Sequence, residues 1–312
     1  MNKHKVIVNP ISGRGAGGAS IPLIEQSLKD KGVEFELVRT ERPWHAAELA
    51  QAAAQEGFDV VVAVGGDGTA NEVLNGLMLA KGAGLQQVPA MGILSVGRGN
   101  DFAHCMGLHR PLEEGCQILA AGQRHSMDVG RMVGGLFPQG RYFGNGLGIG
   151  FDAVVGFEAV KLKWLTGFPS YIVATLKTVF LYFHAPTVRI EYDGQTLTLP
   201  ALMVSTMNGR RLGGGFFMAP DSKPDDGWFD ICVARQVGRV RVFGLIPHFM
   251  KGTQATQPEI SMLRARRVVI TADKGVLPAH ADGETVSLEG TRIELELLAQ
   301  QIEFVTPYGA AA

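Results

Sequence analysis

The chain has 312 residues, 46% of them hydrophobic, and 29 basic against 30 acidic side chains give a formal net charge of -1. That composition supports a sizeable core in one large domain or two ordinary ones, argues against disorder, and supplies no global basic field for nucleic acid. Cys105, Cys116 and Cys232 form an odd, sparse set without metal-ligand spacing, which fits a reducing cytoplasm better than a disulfide framework.

The first eight residues are charged and then strand-like, without the apolar core of a secretory leader. No segment reaches the ~18 uninterrupted apolar residues of a spanning helix. The nearest, Tyr171 to Phe183, is broken by Lys177. Any work on membrane lipid is therefore expected from the surface.

The first ~130 residues alternate strand and helix patterns. Lys5 to Asn9 reads as a strand. Ser20 is placed to cap a helix running from Ile21 to about Lys31, which Gly32 stops. Val33 to Arg39 alternates as a strand, and an Ala-rich helix runs from Pro43 to Gly57. Phe58 to Val64 is the continuous apolar run of a parallel strand buried on both faces. A helix over Asn71–Lys81, a strand over Ala90–Val96 and a helix over Leu112–Ala121 follow. The order predicts a parallel sheet with helices on both faces.

From about Ser126 the pattern changes to strands separated by turn signals. They are Ser126–Val133, Arg141–Leu147, Thr187–Tyr192, Gln195–Met207, Trp228–Ala234, Arg266–Thr271 and Thr291–Glu296. Asp193-Gly194 between two of them signals a hairpin. Helical stretches over about Ala153–His184 and Arg239–Lys251 interrupt. The second half is thus expected to be an antiparallel β domain with inserted helices.

Two glycine-rich loops carry the chemistry. Asn9-Pro10-Ile11-Ser12-Gly13-Arg14-Gly15-Ala16-Gly17-Gly18 lies between the first strand and helix, where backbone N–H groups can face a phosphate. Gly13, Gly15 and Gly18, with Glu41 further on, also satisfy the spacing of a dinucleotide fingerprint, and a plain tight turn would read the same way. The second loop is more specific. Val60 to Val64 runs straight into Gly65-Gly66-Asp67-Gly68-Thr69, and Asn71-Glu72 opens a helix. Glycines remove side chains where a triphosphate must approach; Asp67 can hold Mg²⁺ directly or through water, and Thr69 can donate a hydroxyl. A simple strand-to-helix turn capped by Asp67 needs fewer glycines.

Taken together, the motifs resemble the bacterial diacylglycerol kinase family, whose relatives include sphingosine and ceramide kinases. Asn9 to Gly13 resembles the family's opening motif, and Gly65 to Thr69 with Asn71-Glu72 its phosphate loop. Gly97-Arg98-Gly99-Asn100-Asp101-Phe102-Ala103 resembles a third nucleotide-side motif. Asp225-Asp226-Gly227 and Asp282-Gly283-Glu284 resemble two motifs of a second domain. The resemblance implies an α/β ATP-binding domain over residues 1–128, a β-sandwich over 129–305, and a return of 306–312 to the first domain. It implies ATP and Mg²⁺, with contacts from Asn9, Ser12, Gly13, Arg14, Thr40, Gly65 to Thr69, Asn71, Arg98, Asn100 and Asp101. Asp67 would place catalytic Mg²⁺, and Glu284 would act as general base toward a lipid hydroxyl. A structural Mg²⁺ would be held by Asp226 and the carbonyls of Lys223 and Trp228, with Asp128 joining the network. A cytoplasmic protein working peripherally on the inner face of the membrane, and a homodimer, are further expectations.

Many relatives carry threonine after the first glycine of the third motif and proline two positions before that glycine. Here Arg98 and Ser95 stand there. Arg98 could offer ATP a forked, charged donor, or could point to solvent or pair with a carboxylate. His280 lies close enough to the last motif to modulate it. The segment Val155 to Phe183 interleaves Trp164, Phe168, Tyr171, Phe180, Tyr182 and Phe183 with Lys161, Lys163 and Lys177, which suits a lipid interface or a buried core helix. An NAD kinase shares the Gly-Gly-Asp-Gly-Thr run, and a non-catalytic lipid or nucleotide sensor could share the fold.

Overall fold

The computed structural model describes residues 2–97, 99–162, 165, 168–181 and 185–308. The chain forms two compact units, residues 1–127 with 300–312 and residues 128–299.

The first unit runs β1 (Lys3–Val8), α1 (Ala16–Ala19), α2 (Ile21–Asp30), β2 (Glu34–Arg39), α3 (His45–Gln55), β3 (Val60–Gly65), α4 (Asp67–Gly82), β4 (Ala90–Ser95), α5 (Asp101–Cys105) and α6 (Leu112–Ala121). β1 pairs in parallel with β2 and β3, and β3 pairs in parallel with β4. Every residue of β3 is buried, as a strand covered by helices on both faces requires. Val6, Val8, Val62 and Val64 pack with Ile24, Leu28 and Leu94 to form its core.

The chain crosses to the second unit in β5 (Arg124–Gly134). There follow β6 (Phe137–Phe143), β7 (Gly146–Gly150), α7 (Phe151–Lys161), α8 (Phe168–Leu181), β8 (Thr187–Tyr192) and β9 (Gln195–Met207). After them come β10 (Arg211–Leu212), β11 (Phe216–Phe217), β12 (Phe229–Arg235) and α9 (Arg239–Lys251). The run closes with β13 (Ile260–Ala265), β14 (Arg267–Lys274), β15 (Ala279–Ala281), β16 (Glu284–Ser287) and β17 (Arg292–Val305). The residue pairings of β7 to β9 and β12 to β16 are antiparallel. β9 changes partners along its length: Gln195 to Pro200 pair with β8, and Ala201 to Met207 pair with β7 and β12. A strand shared in this way turns the corner of a sandwich. Its interior holds Phe143, Leu147, Val204, Phe229, Ile231, Ile270 and Ile293. A second apolar cluster lies on the helix-covered face, where Phe151, Val155, Ala174 and Leu245 meet Met203, Met207 and Cys232.

β17 returns the chain to the first unit and pairs in parallel with β4 through Phe304 and Met91. Thr306 holds the tail there: its N–H donates to Gln123 O (2.9 Å) and its hydroxyl to Met106 O (2.5 Å).

Several boundaries differ from the sequence reading. α4 starts at Asp67 rather than Asn71, with extended Gly66 as its N-cap, so Asp67-Gly68-Thr69 is the first helical turn. Ser20 has helical dihedrals, and its hydroxyl donates to Gly17 O (2.8 Å) instead of capping α2. The expected strand Arg141–Leu147 is two strands. The N–H groups of Gly144, Asn145 and Gly146 all turn to the carboxylate of Asp282, which takes them out of a ladder. The stretch Ala153–His184 is two helices, because Leu162 leaves helical geometry with ψ 69°. Trp164, Lys163, Tyr182, Phe183 and His184 lie outside the described residues.

Candidate active site

In the first unit three loops follow β1, β3 and β4, and glycine lets them touch. A Cβ on Gly66 would stand 3.2 Å from Gly97 Cα, and one on Gly97 only 2.4 Å from Gly66 Cα. Gly13 has φ +59°, and a Cβ there would sit 2.0 Å from Val96 O. These loops are therefore locked in place by the absence of side chains. Asn9 ties the first loop to the second. Its N–H donates to Val64 O (2.9 Å), its Nδ2 donates to Thr69 Oγ1 (3.1 Å), and its Oδ1 accepts from Ile11 N (3.3 Å). Ser12 and Arg14 bound a single 3-10 turn beside it. Thr40 joins the same end of the sheet, its N–H donating to Val8 O (2.8 Å).

Asp67 connects the second loop to the third. Its Oδ1 accepts from Phe102 N (2.9 Å) in the first turn of α5. Its Oδ2 and that of Asp101 flank Gly99, lying 3.0 and 3.5 Å from where a Cβ on that glycine would be. Two carboxylates around one glycine offer oxygens to a hard cation, and the N-terminus of the 16-residue α4 adds partial positive charge for phosphate. Asn100 adopts φ +52° with Nδ2 donating to Gly97 O (3.0 Å), and among the described residues its buried Oδ1 has no hydrogen-bond partner. An orphaned acceptor beside a glycine cradle fits a ligand that brings a donor.

Asn71, expected at the nucleotide, and Glu72, both just after the second loop, make contacts within the first unit. Asn71 is fully buried, and its carbonyl and Oδ1 accept from Asn75 Nδ2 (2.8 and 3.2 Å) within α4. Glu72 reaches α3, where its two oxygens accept from Trp44 N (2.9 Å) and Ala46 N (3.1 Å). Arg98 lies outside the described residues.

In the second unit, Asp282 and Gly283 form the turn between β15 and β16 with φ +46° and +84°. Sequence reasoning treated Asp282 as a companion of Glu284, but it has a separate task. It is buried, and its carboxylate collects the N–H groups of Gly144 (2.8 Å), Asn145 (2.9 Å) and Gly146 (3.0 Å). Three convergent N–H groups satisfy a buried anion. The turn so fixed leaves Glu284, first residue of β16, exposed.

Asp226 is engaged by protein on both oxygens. Oδ1 accepts from Trp228 N (3.1 Å), and Oδ2 from Arg264 Nη2 (2.6 Å), whose Nε sits 3.2 Å from Asp230 Oδ1. Arg266 Nε donates to Gly227 O (3.2 Å), and both guanidiniums lie over the Trp228 ring. Asp128 is buried, its Oδ2 accepting from Gly227 N (2.7 Å) and its own N–H donating to Pro224 O (2.7 Å). Lys223 is exposed. Arginine thus supplies the positive charge at this acidic turn, and the donor set is a poor fit to a divalent cation while Arg264 holds Asp226. Nothing in the sequence pattern pointed to Arg264, since only the β12–β13 register brings Asp230 opposite it.

One buried polar row was also missed. Strand register sets Cys232, Ser205, Gly148 and His280 side by side across β12, β9, β7 and β15. Asp152, in the first turn of α7, lies over Gly148: a Cβ there would be 2.2 Å from its Oδ2 and 2.7 Å from His280 Nε2. Ser205 Oγ donates to Asp152 Oδ2 (2.5 Å). Burial pushes Asp152 up to about 7, against its hydrogen bonds, pushes His280 down to about 4, and raises Cys232 to about 12. The lone acid in the apolar run Gly146 to Val155 was the available signal.

Parallel strands ending in interlocked glycine loops around a carboxylate pair, on a chain that goes on to build a sandwich, are an architecture shared with solved diacylglycerol and NAD kinases. Residues 3–132 match the diacylglycerol kinase catalytic domain, and residues 145–303 match the YegS C-terminal NAD kinase beta sandwich-like domain. The chain belongs to the bacterial diacylglycerol kinase family of lipid kinases. It is 29% identical over 287 residues to a diacylglycerol kinase of Bacillus subtilis (strain 168), covering 91% of this chain and 90% of that one. It is 27% identical over 307 residues to a diacylglycerol kinase of Staphylococcus saprophyticus, covering 98% and 95%. A solved diacylglycerol kinase from Bacillus anthracis (strain Sterne) superposes with a TM-score of 0.73 at 23% identity, over 99% of this chain and 98% of that one. An NAD kinase from Archaeoglobus fulgidus, solved with ATP, has the same fold at TM-score 0.52 and 16% identity, over 99% and 94%.

Proposed function

We propose that the chain transfers the γ-phosphoryl group of ATP to the hydroxyl of a diacylglycerol-like lipid, with Mg²⁺ on the phosphates and Glu284 as general base. The observation that carries this reading is the glycine cradle in which Asp67 and Asp101 flank Gly99, within a diacylglycerol kinase catalytic domain. In it, the N–H groups of the first turn of α4 and the hydroxyls of Ser12 and Thr69 bind phosphate oxygens. Asp67 and Asp101 would hold Mg²⁺, which supplies charge neutralisation on the transferring group. Asn9 orients Thr69 and fixes the spacing between the first and second loops. Glu284 accepts the proton of the lipid hydroxyl as the hydroxyl oxygen bonds to the γ-phosphorus and the bond from that phosphorus to the bridging oxygen breaks, releasing ADP. Asp282 acts through the turn that it fixes, setting the direction of Glu284.

For the acidic turn at Asp226, we infer that Arg264 does the neutralising, so no step depends on a second metal there. The deciding test is phosphorylation of diacylglycerol in mixed micelles by wild type and Glu284→Gln, with NAD as a competing acceptor. Turnover on lipid with loss of about 10²-fold or more in the variant, and ATP affinity kept, supports the reading. Near-normal turnover in the variant removes Glu284 from the role, and turnover on NAD alone replaces the lipid reading with an NAD kinase.

A further inference from the structure

The outer faces of α8 and α9 have a character that the catalytic chemistry does not explain. On α9, Val240, Phe243, Pro247 and Met250 recur at helical spacing and all are exposed, Val240 at 87%. On α8, Leu176 and Phe180 are one turn apart and exposed, Phe180 at 63%. The inward faces of both helices are apolar as well, with Ala174, Val179, Val242, Leu245 and Phe249 buried. A surface helix normally turns a polar face outward, so helices apolar on both sides imply a second apolar surrounding. The two faces join, because the Phe180 and Phe243 rings lie 6.2 Å apart between centroids.

The charges that the two helices themselves carry have one sign. α8 and α9 contain no Asp or Glu. Arg239 lies over the Phe180 ring at 5.9 Å, and Lys251 is exposed at the other end of α9. On α7, Glu158 is buried and held by Lys161 and Lys177, both 2.5 Å away, so these two lysines project from a neutralised base. On α9, Arg241 is paired to Glu259. A chain of net charge -1 has therefore gathered basic groups around its largest outward apolar helices.

We propose that the outer face of α8 and α9 docks on an anionic lipid bilayer, with Val240, Phe243 and Phe180 entering the acyl boundary and Arg239, Lys177 and Lys251 meeting headgroups. Apolar side chains ringed by basic ones are what such an interface selects. A second copy of the chain on the same patch would bring like charges together across a two-fold contact. The proposal deepens the reading of the chain as a lipid kinase by assigning the surface on which it meets its substrate.

The test uses the full chain and phosphatidylcholine vesicles with and without phosphatidylglycerol, read by co-flotation. Wild type should bind the phosphatidylglycerol vesicles and be released by salt. A Val240→Asp/Phe243→Asp variant, and separately Arg239→Glu/Lys251→Glu, should lose at least about tenfold in binding. Both should keep their melting temperature and their turnover on a monomerically dispersed short-chain diacylglycerol, while losing turnover on diacylglycerol embedded in vesicles. Wild-type binding by either variant overturns the proposal. So does an apolar-face variant that dissolves a dimer seen by light scattering and leaves vesicle binding intact. If wild type binds vesicles, the variants do not, and no lipid is phosphorylated, the docking surface stands and the kinase reading fails.

Discussion

Replacing Asp152 with asparagine should stabilise the protein above neutral pH and change it little near pH 4. The carboxyl is buried over Gly148 with Ser205 as its side-chain partner, and burial lifts it from 3.8 to about 7. Between those values the folded state holds a proton that the unfolded chain has lost. Stability from this group therefore falls as pH rises from about 4 to 7, and stays low above. A shift of about three units corresponds to a ceiling of about 4 kcal/mol. An amide of the same shape carries no such cost and still accepts from Ser205, so a net gain of about 2–4 kcal/mol at pH 8 is expected. His280 works in the opposite sense. Burial lowers it from 6.5 to about 4, so its contribution rises with pH over that window. The two slopes offset one another in the wild type between about pH 4 and 6.5. Asp152→Asn removes one of them, and its stability should climb with pH across that range. Melting temperature from pH 4.5 to 8.5 reads both effects, with each kcal/mol worth about 2–4 °C in a protein of this size. A variant less stable than wild type at pH 8, or one whose advantage persists undiminished at pH 4.5, would refute the reasoning. So would a His280 imidazole found protonated at pH 6 by NMR, since that would make the pair ionic.

Three further outcomes follow from the geometry. Gly97→Ala places a Cβ 2.4 Å from Gly66 Cα, so it should part the second and third loops and weaken ATP binding by at least about tenfold, measured by calorimetry, while far-ultraviolet dichroism is kept. Arg264→Gln leaves Asp226 without its guanidinium; it should lower the melting temperature by a few degrees and make it respond to added Mg²⁺, whereas wild type without nucleotide should melt alike in EDTA and in Mg²⁺. Asp282→Asn replaces an anion that accepts from three N–H groups; it should cost about 2–4 kcal/mol in denaturant titration and reduce turnover through misplacement of Glu284, leaving ATP affinity intact.

Much of the first unit was legible because its signals are local. Val60 to Val64 reads as a strand buried on both faces, and the number of glycines after it favours close approach over a plain capped turn. Ser20 misled for the opposite reason. Whether a hydroxyl caps a helix depends on dihedrals and neighbours that composition does not carry: Ser20 continues a helical turn, and its hydroxyl goes to Gly17 O. The strand Arg141–Leu147 failed similarly, since its break at Gly144–Asn145 is imposed by a carboxylate 137 residues away.

The sequence by itself determined the βα alternation, the change to antiparallel strands near residue 128, and the positions of Asp67 and Glu284 at turns rich in glycine. These rest on periodicity and on the steric demands of single residues, which are properties of neighbours along the chain. Only the tertiary structure decided which carboxylates come together at the glycine loops and which are taken up by the fold. Asp67 and Asp101 meet around Gly99, whereas Asp282 is consumed by three N–H groups, Asp226 by Arg264 and Asp152 by a buried polar row. An aspartate reads the same in every one of those places, and what separates them is the set of donors and the depth of burial that distant strands bring to it.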